Sequence, residues 1–340
     1  MEVKLDHSQI DILTDLEKPE IQLLYIINLL MNSKEKINKE IIYTTGKKMY
    51  GENLLELSHA YNVLINNNLI KEVDDEYSLT EIGKHSLKKI RAHNFGEMLV
   101  ITDKSKLYGK FCELVYGKNI SQFNMMNMTQ LNKLLNLMNF NERQKVLDIG
   151  CASGTITEYI SDITQAQMTG IDFAGKAIEW AQERTKSKQN RLVFFTMDMD
   201  TIDFPERTFN SIISIDTLYF AENLENTFLQ MMRILKKNGT IGIFYTQMIK
   251  QDESRNLLLP ERTKLAQILN EQNLDYKTWD FTEEEKIHWR KSKEVAEMLK
   301  DEFDKEGSIR IYQSRIRESN RILEYVESDR LSRYLYFIEV

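Results

Sequence analysis

The sequence predicts an α/β fold built around a parallel, doubly wound sheet, preceded by a smaller and mainly helical unit. From residue 143 onward, short apolar runs rich in β-forming residues, from "QKVLDIG" to "GTIGIFYT", alternate with helical stretches. Strands that alternate with helices at this spacing form parallel sheets covered on both faces. The length of 340 residues leaves room for a second unit, and only 13 Gly and 3 Pro favour a chain folded nearly throughout.

Residues 1–95 predict a winged helix-turn-helix. Three helical stretches precede "LIKEVDDEYSL", which predicts two short strands joined by an acidic turn. The helix that would enter a DNA groove lies within residues 49–70, an interval without Lys or Arg. Because DNA readers use these cations for phosphate and guanine contacts, the sequence favours dimerisation, or packing against the rest of the chain, over DNA binding.

Charge and cysteine content exclude several classes of protein. The formal charge of -7 argues against a surface built mainly to neutralise phosphates. Cys112 and Cys151 are too few for a disulfide framework or a four-ligand zinc site. Residues 1–20 lack an apolar core of signal-peptide length, and no run of 18 apolar residues occurs. We therefore expect a cytoplasmic protein with no metal, membrane or nucleic-acid partner.

The remaining elements surround the predicted sheet. Residues 96–140 predict two amphipathic helices, of which 104–140 form a helical cap or linker before the first strand. After "GTIGIFYT", a helix and a sixth strand, "DYKTWDF", lead to a helical insertion over about 282–332. The final "RYLYFIEV" predicts a seventh strand.

The stretch "VLDIGCASGTITEYI" is the most informative for chemistry. A buried strand leads into a turn of small residues and then a helix, where Gly150 and Gly154 let the backbone turn sharply and a ligand approach closely. Such a turn also serves NAD enzymes or simple packing. Two further acids follow the next strands. Asp172 is placed to accept hydrogen bonds from a ribose diol, and Asp198 to accept one from an adenine amino group.

Four segments together resemble the class I S-adenosylmethionine-dependent methyltransferase family. They are "VLDIGCASG", "GIDF", "MDMDTIDFPERTFNSIISIDTLYF" and "LQMMRILKKNGTIGIF", in this order over about residues 140–250. The resemblance implies a Rossmann-like, seven-stranded methyltransferase sheet with a helical cap insertion, and S-adenosyl-L-methionine as the cofactor. Ala152 replaces the commonest glycine of the first motif, and Asn210 stands where aspartate is usual. Neither departure puts cofactor binding in doubt.

The resemblance also implies which residues form the site. Those expected to bind the cofactor are Asp148, Gly150, Cys151, Ala152, Gly154, Asp172, Phe173, Asp198, Met199, Ile215 and Tyr108, with Phe123 resembling a second closing aromatic. For several of them core packing is the competing interpretation. Candidates for removing a proton from the acceptor are Asp216, Tyr219 and His288, the last only if the insertion folds inward rather than leaving it solvated.

The predicted activity is methyl transfer to an oxygen or nitrogen of a small organic metabolite. Aromatic residues of the last 65 positions, Trp279, Trp289, Tyr312 and Tyr325, can line an acceptor pocket or simply pack the insertion. A winged-helix unit ahead of the domain resembles the plan of small-molecule O-methyltransferases that dimerise through it. Two alternatives stay open: an RNA or protein methyltransferase that grips its substrate with this unit, and a non-catalytic regulator that senses the cofactor.

Overall fold

A computed structural model of the chain describes residues 16–31 and 36–340, which divide into two compact units, Met1–Asn94 and Phe95–Val340. Most of the amino-terminal stretch expected to lack a signal peptide lies outside the described residues. No described helix is both long enough and apolar enough to cross a membrane.

The first unit has three helices followed by a two-stranded antiparallel sheet. Its elements are α1 (Lys18–Leu30), α2 (Lys39–Tyr50), α3 (Ser58–Asn66), β1 (Ile70–Val73) and β2 (Glu76–Leu79), and α4 (Glu81–Lys104) begins in it. Asp74 and Asp75 form the acidic turn with φ of 52° and 57°. Two successive positive φ values are those of the tight hairpin turn that suits twisted strands. The element order is that expected, but the winged-helix assignment itself stays a prediction.

The second unit contains the large sheet. Its elements are α5 (Lys106–Tyr116), α6 (Met128–Met138), β3 (Lys145–Ile149), α7 (Thr155–Thr164), β4 (Gln167–Asp172), α8 (Gly175–Arg184), β5 (Leu192–Thr196), β6 (Phe209–Ile215), α9 (Leu224–Ile234), β7 (Leu235–Met248), α10 (Lys264–Glu271), β8 (Tyr276–Asp280), α11 (Thr282–Met298), α12 (Lys300–Glu306), α13 (Ile309–Glu327) and β9 (Leu331–Glu339).

The seven strands lie in the order β5-β4-β3-β6-β7-β9-β8. The first five of this order are parallel, whereas β9 is antiparallel to both of its neighbours, β7 and β8. Large apolar clusters pack the sheet with its helices. The predicted Rossmann-like sheet is thus confirmed. The strand order reverses between β3 and β6, and ligands of such sheets bind beside the carboxyl ends of the strands at this point.

Candidate functional site

The loop after β3 lies against the ends of the neighbouring strands. The backbone N–H groups of Gly150 and Cys151 both donate to the carbonyl oxygen of Ile171, at 2.8 and 3.0 Å. Gly150 has φ of 76°, and a Cβ added there would lie 2.1 Å from Cγ2 of Thr217. Glycine is therefore required here by both the backbone conformation and the close approach of the β6 end.

The same loop continues through two more residues with positive φ, Ala152 at 52° and Gly154 at 71°. A Cβ on Gly154 would lie 2.4 Å from Cε1 of Phe194. Ala152 shows that a small side chain is accepted at one left-handed position, at some cost in strain. The turn is thus compact and largely buried at the ends of the strands.

Asp172 ends β4 and holds this loop. Its Oδ2 accepts a hydrogen bond from the N–H of Ala152 at 2.9 Å, and its Oδ1 accepts one from the N–H of Ala174 at 2.9 Å. Burial raises the pKa of Asp172, and these backbone donors partly oppose the rise. A carboxylate has about four acceptor positions, so two backbone donors leave capacity for the two hydroxyls of a ribose.

Asp148 is buried inside the sheet beside this acid. The hydroxyl of Thr157 donates to its Oδ2 at 2.6 Å. Burial, with a smaller contribution from the negative charge of Asp172, raises the pKa of Asp148 to about 7. Asp148 therefore supports the loop from below, through the first turn of α7, and part of its population is protonated at neutral pH.

The end of β5 is followed by a polar turn and lies near two apolar side chains. Oδ1 of Asp198 accepts a hydrogen bond from the N–H of Asp200 at 3.1 Å, capping the short 3-10 turn Met199–Thr201. Phe173 and Met199 are both partly exposed, so each can offer apolar surface to a planar ring. Ile215 is buried at the end of β6.

Cys151 is a buried residue of the loop rather than a nucleophile. Burial raises the pKa of its thiol well above the ordinary value, so the reactive thiolate is disfavoured. A Cβ on Gly170 would lie 2.7 Å from its Sγ, which shows how tightly β4 packs on the loop. The thiol fills space between the two segments.

Asp216, a candidate proton acceptor, forms a buried ion pair. It follows β6 with φ of 58°, and both terminal nitrogens of Arg333 donate to its carboxylate, one of them at 2.9 Å. The N–H of Met125 lies 3.3 Å from Oδ2. The guanidinium of Arg333 therefore occupies both oxygens of the Asp216 side chain. Asp216 directly follows β6, which is the fourth strand of the large sheet in chain order, as the sequence predicted.

Arg333 also binds groups from other elements. Nε and Nη2 of Arg333 both donate to Oε1 of Gln130 at 3.2 Å, and Nη1 donates to Oγ1 of Thr246 at 3.1 Å. Oε1 of Glu285 lies 3.2 Å from its Nε without the alignment of a hydrogen bond, and Trp289 Nε1 donates to Oε2 of Glu285 at 3.0 Å. Burial raises the pKa of Glu285 to about 7, although the charge of Arg333 opposes the rise.

Sequence reasoning missed both Arg333 and Glu285. Arg333 lies 117 positions beyond Asp216, in the apolar strand β9, where every residue except the last is buried. An arginine inside such a buried strand requires an acidic partner, and that requirement was the available signal.

His288 is buried, so the interpretation of a solvated helix position is wrong. Only 4% of the residue is exposed, because α11 packs on α5 and α13. Its ring centroid lies 5.0 Å from that of Tyr116 and 5.1 Å from that of Trp289. Burial and nearby cationic side chains lower its pKa to about 3. The imidazole is therefore neutral, and neither ring nitrogen has a hydrogen-bond partner within the described residues.

Tyr219 stays protonated near neutral pH. Burial, and the neighbouring negative charge of Asp216, raise the pKa of its hydroxyl well above the ordinary value. Part of the residue is exposed, and its ring centroid lies 6.2 Å from that of Tyr245. The phenol can thus donate a hydrogen bond but does not serve as a base.

The two aromatics ahead of β3 occupy different surroundings. Tyr108 is fully buried, its ring stacks on Phe111 at 5.5 Å, and its hydroxyl donates to the carbonyl of Gln122 at 2.5 Å. Phe123 packs in an apolar cluster that includes Ala152 of the loop after β3. The structure therefore brings Phe123 to this loop, whereas a cofactor contact for Tyr108 stays a prediction.

Two of the other aromatics of the final region, Trp289 and Tyr325, pack in one apolar cluster, to which Tyr219 also belongs. Trp289 is buried, Trp279 lies on β8 under Nζ of Lys133 at 4.4 Å, and Arg330 lies over Tyr325 at 4.7 Å. Within the described residues, no group of three or more His, Cys, Asp or Glu side chains could hold a metal ion.

The sheet order and the glycine loop at its switch point define a class I methyltransferase fold. Residues 146–239 match the family model described as a methyltransferase domain. The chain therefore carries a class I S-adenosylmethionine-dependent methyltransferase domain, as the resemblance implied.

Among curated proteins, the chain is similar to phosphoethanolamine N-methyltransferase of Plasmodium falciparum (isolate 3D7), with 33% identity over 136 residues, 39% of this chain and 50% of the relative. It is also similar to sterol 24-C-methyltransferase of Candida albicans (strain SC5314 / ATCC MYA-2876), with 29% identity over 39% of this chain and 35% of the relative. The matches span half or less of these relatives' lengths.

Among solved structures, Haemonchus contortus phosphoethanolamine N-methyltransferase 2 in complex with S-adenosyl-L-methionine superposes with a TM-score of 0.59 at 14% identity. The match covers 95% of this chain and 99% of that one. At this identity the likeness concerns the fold.

Proposed function

We propose that this protein transfers the methyl group of S-adenosyl-L-methionine to an oxygen or nitrogen of a small organic metabolite. The observation that carries the proposal is the position of Asp172. Its carboxylate ends β4 beside the loop of positive-φ residues after β3, at the switch point of the sheet. A ribose-binding acid next to such a loop is the arrangement that adenosyl ligands require.

The residues present fit this cofactor. Asp172 keeps acceptor positions for the ribose hydroxyls, and the partly exposed Phe173 and Met199 offer apolar surface for the adenine ring. Asp198, which already caps its own turn, is placed to accept from the adenine amino group. When bound, the cofactor supplies an electrophilic methyl group on a sulfonium sulfur.

The chain's own residues favour an acceptor atom that is already nucleophilic at neutral pH. Both oxygens of Asp216 are engaged by Arg333, Tyr219 stays protonated, and His288 is neutral with a pKa of about 3. The side chain of Asp216 is thus occupied and neither ring is a strong base, so the role that we assign to these residues is to orient the acceptor. The phosphoethanolamine relative methylates nitrogen and the sterol relatives methylate carbon, as their names state.

The test uses the purified full-length protein. Calorimetry should show binding of S-adenosyl-L-homocysteine, and radiolabelled methyl transfer should be detected with one or more members of a panel of small amines, hydroxyl compounds and sterols. Transfer to RNA or protein but to no small acceptor would overturn the proposal in favour of a macromolecular substrate. Cofactor binding with no transfer to any acceptor would favour a regulator.

We further propose that the protein is a cytoplasmic homodimer formed through residues 1–95, without a nucleic-acid partner. Leu29 and Tyr43 of this unit are 53% and 56% exposed, which gives apolar surface for such an interface. Light scattering of the Leu29→Glu, Tyr43→Glu double variant should show a shift towards monomer. An unchanged mass would contradict this route of dimerisation.

A further inference from the structure

A set of buried polar atoms lies among α5, the segment 117–127, α11 and α13 without a hydrogen-bond partner in the described part of the chain. They are the hydroxyl of Tyr116, Nε2 of Gln122, both ring nitrogens of His288, and Nε and NH1 of Arg315. The four residues are between 0% and 4% exposed. We call these four residues the polar cluster.

The members of the polar cluster share one environment. The rings of Tyr116 and His288 are 5.0 Å apart. The guanidinium carbon of Arg315 lies 3.8 Å from the ring centroid of Phe123, which directly follows Gln122. Burial raises the pKa of Tyr116 and lowers that of His288, and the charge of Arg315 acts on both rings, opposing the rise at Tyr116 and adding to the fall at His288. These contacts and interactions describe one buried site rather than scattered defects.

The hydrogen-bonding capacity of the polar cluster is dominated by donors. Nη2 of Arg315 donates to Oε2 of Glu318 at 2.5 Å, whereas Nε and Nη1 of this buried side chain have no acceptor among the described residues. Tyr116, Gln122 and one nitrogen of the neutral His288 add further N–H or O–H groups. A buried donor left without a hydrogen bond is destabilising, and more so when it belongs to a charged group. An anionic oxygen group, which only accepts hydrogen bonds, is the chemical complement.

The polar cluster also adjoins the edge of the sheet where methyl transfer would occur. Phe123, which carries the guanidinium of Arg315 on its ring, packs in the same apolar cluster as Ala152 of the loop after β3. Phe123 therefore contacts Arg315 on one side and the apolar cluster beside the loop after β3 on the other.

We infer that the polar cluster binds an anionic oxygen group, a carboxylate or a phosphate, carried by the methyl acceptor. Arg315 forms the ion pair, while Tyr116, Gln122 and His288 complete the hydrogen bonds. That the ligand is the acceptor rests on the proposed function. The binding of an anion at this place does not.

The experiment measures binding of inorganic phosphate and of acetate to the full-length protein by calorimetry at constant ionic strength. Tyr116→Phe removes only the unpartnered hydroxyl, and Arg315→Gln removes the charge. Arg317→Gln is the matched control, because Arg317 lies on the same helix but is exposed. We expect one of the two anions to bind the native protein, with affinity reduced about 3-fold or more by Tyr116→Phe and about 10-fold or more by Arg315→Gln. Arg317→Gln should leave it unchanged. The preferred anion identifies phosphate or carboxylate as the group recognised.

Tyr116→Phe also separates binding from a structural role. Within the described residues the hydroxyl has no hydrogen-bond partner, so its removal should leave the melting temperature equal or higher, while the anion affinity falls. This variant keeps the test decisive if Arg315→Gln fails to fold. Failure of both anions to bind the native protein, or equal anion affinity in Tyr116→Phe and the native protein, would overturn the inference.

A parallel titration with S-adenosyl-L-homocysteine distinguishes the two proposals. Tyr116→Phe and Arg315→Gln should keep native affinity for this ligand. If the native protein binds an anion at the polar cluster but not S-adenosyl-L-homocysteine, the proposed function fails and the anion site stands. If it binds S-adenosyl-L-homocysteine and neither anion, the reverse holds.

Discussion

Arg333 and Asp216 join the last strand of the sheet to the end of β6 through a buried, bidentate ion pair. Arg333 is fully buried and Asp216 is 7% exposed. Asp216 has φ of 58°, a conformation that a residue other than glycine keeps only when its surroundings hold it. The guanidinium therefore fixes the position of the Asp216 side chain at the end of β6.

Replacing Arg333 should destabilise the protein strongly. Arg333→Gln leaves Asp216 and Glu285 buried without their cation, which typically costs about 3 to 5 kcal/mol. Chemical denaturation measures the change. Arg290→Gln is the control, because its pair with Glu327 is 62% and 54% exposed and should contribute less than about 1 kcal/mol. Equal losses of unfolding free energy in the two variants would show that the buried ion pair contributes no more than the exposed one.

Asp172→Ala should weaken the binding of S-adenosyl-L-homocysteine by about 1 to 3 kcal/mol, through loss of charge-assisted hydrogen bonds to the ribose. Asp172→Asn should lose less, because one amide oxygen can still accept from the N–H of Ala152. Calorimetry measures both, with the exposed Asp252→Asn as control. Unchanged affinity in Asp172→Ala would refute the assignment of this acid to the ribose.

Gly150→Ala should destabilise the protein more than Gly307→Ala. Both glycines have a similar positive φ, 76° and 78°, but a Cβ meets nothing within 4 Å at Gly307 and lies 2.1 Å from Thr217 at Gly150. Gly307→Ala thus measures the backbone strain alone, about 1 kcal/mol, and Gly150→Ala adds about 1 to 3 kcal/mol of steric overlap. Thermal or urea unfolding compares them. Similar losses of unfolding free energy in the two variants would mean that the loop can move away from Thr217 at little cost.

Asp148→Asn should gain stability relative to the native protein as pH rises from about 4 to 7. The pKa of Asp148 is raised from 3.8 to about 7 in the folded state. The native state therefore holds a proton that the unfolded state has released. The stability from this proton is complete below about pH 4 and is lost as pH rises towards 7, by roughly 1.4 kcal/mol for each unit of pKa difference. Asn stays neutral throughout.

Denaturation at pH 5 and pH 8 measures this pH dependence, with Asp252→Asn as a variant that should follow the native protein at both values. If the native protein and Asp148→Asn change stability in parallel between the two pH values, the pKa of Asp148 is not raised.

The loop after β3 and the acids at the strand ends were predictable because they are local in sequence. The loop after β3 follows directly from "VLDIGCASG", and each acid ends or follows its own strand, so period and spacing were sufficient. The parallel strands from β3 to β7 were predicted for the same reason. The antiparallel arrangement of β9 was not, because a strand pattern gives no direction of pairing.

The polar cluster was missed because charged residues dominate the sequence of α13. Arg315 lies in "IRIYQSRIRESN", which suggests a solvated helix. The buried positions of α13 are Ile311, Arg315, Ser319, Ile322 and Val326, at helical spacing. Arg315 therefore shares the buried face of α13 with isoleucine and valine, and this spacing was the signal that the high content of charged residues obscured. His288 in α11 was misjudged in the same way.

The place of β9 between β7 and β8 has a consequence for how the protein is made. β8 pairs with β9, and among the described strands the sheet connects it to nothing else. During synthesis the ribosome therefore releases β7 and β8 long before the strand that separates them exists. Both leave backbone groups unpaired until then, and the nascent chain is open to wrong pairings or aggregation for that interval. The last strand to be synthesised therefore has to enter the sheet between two strands that already exist.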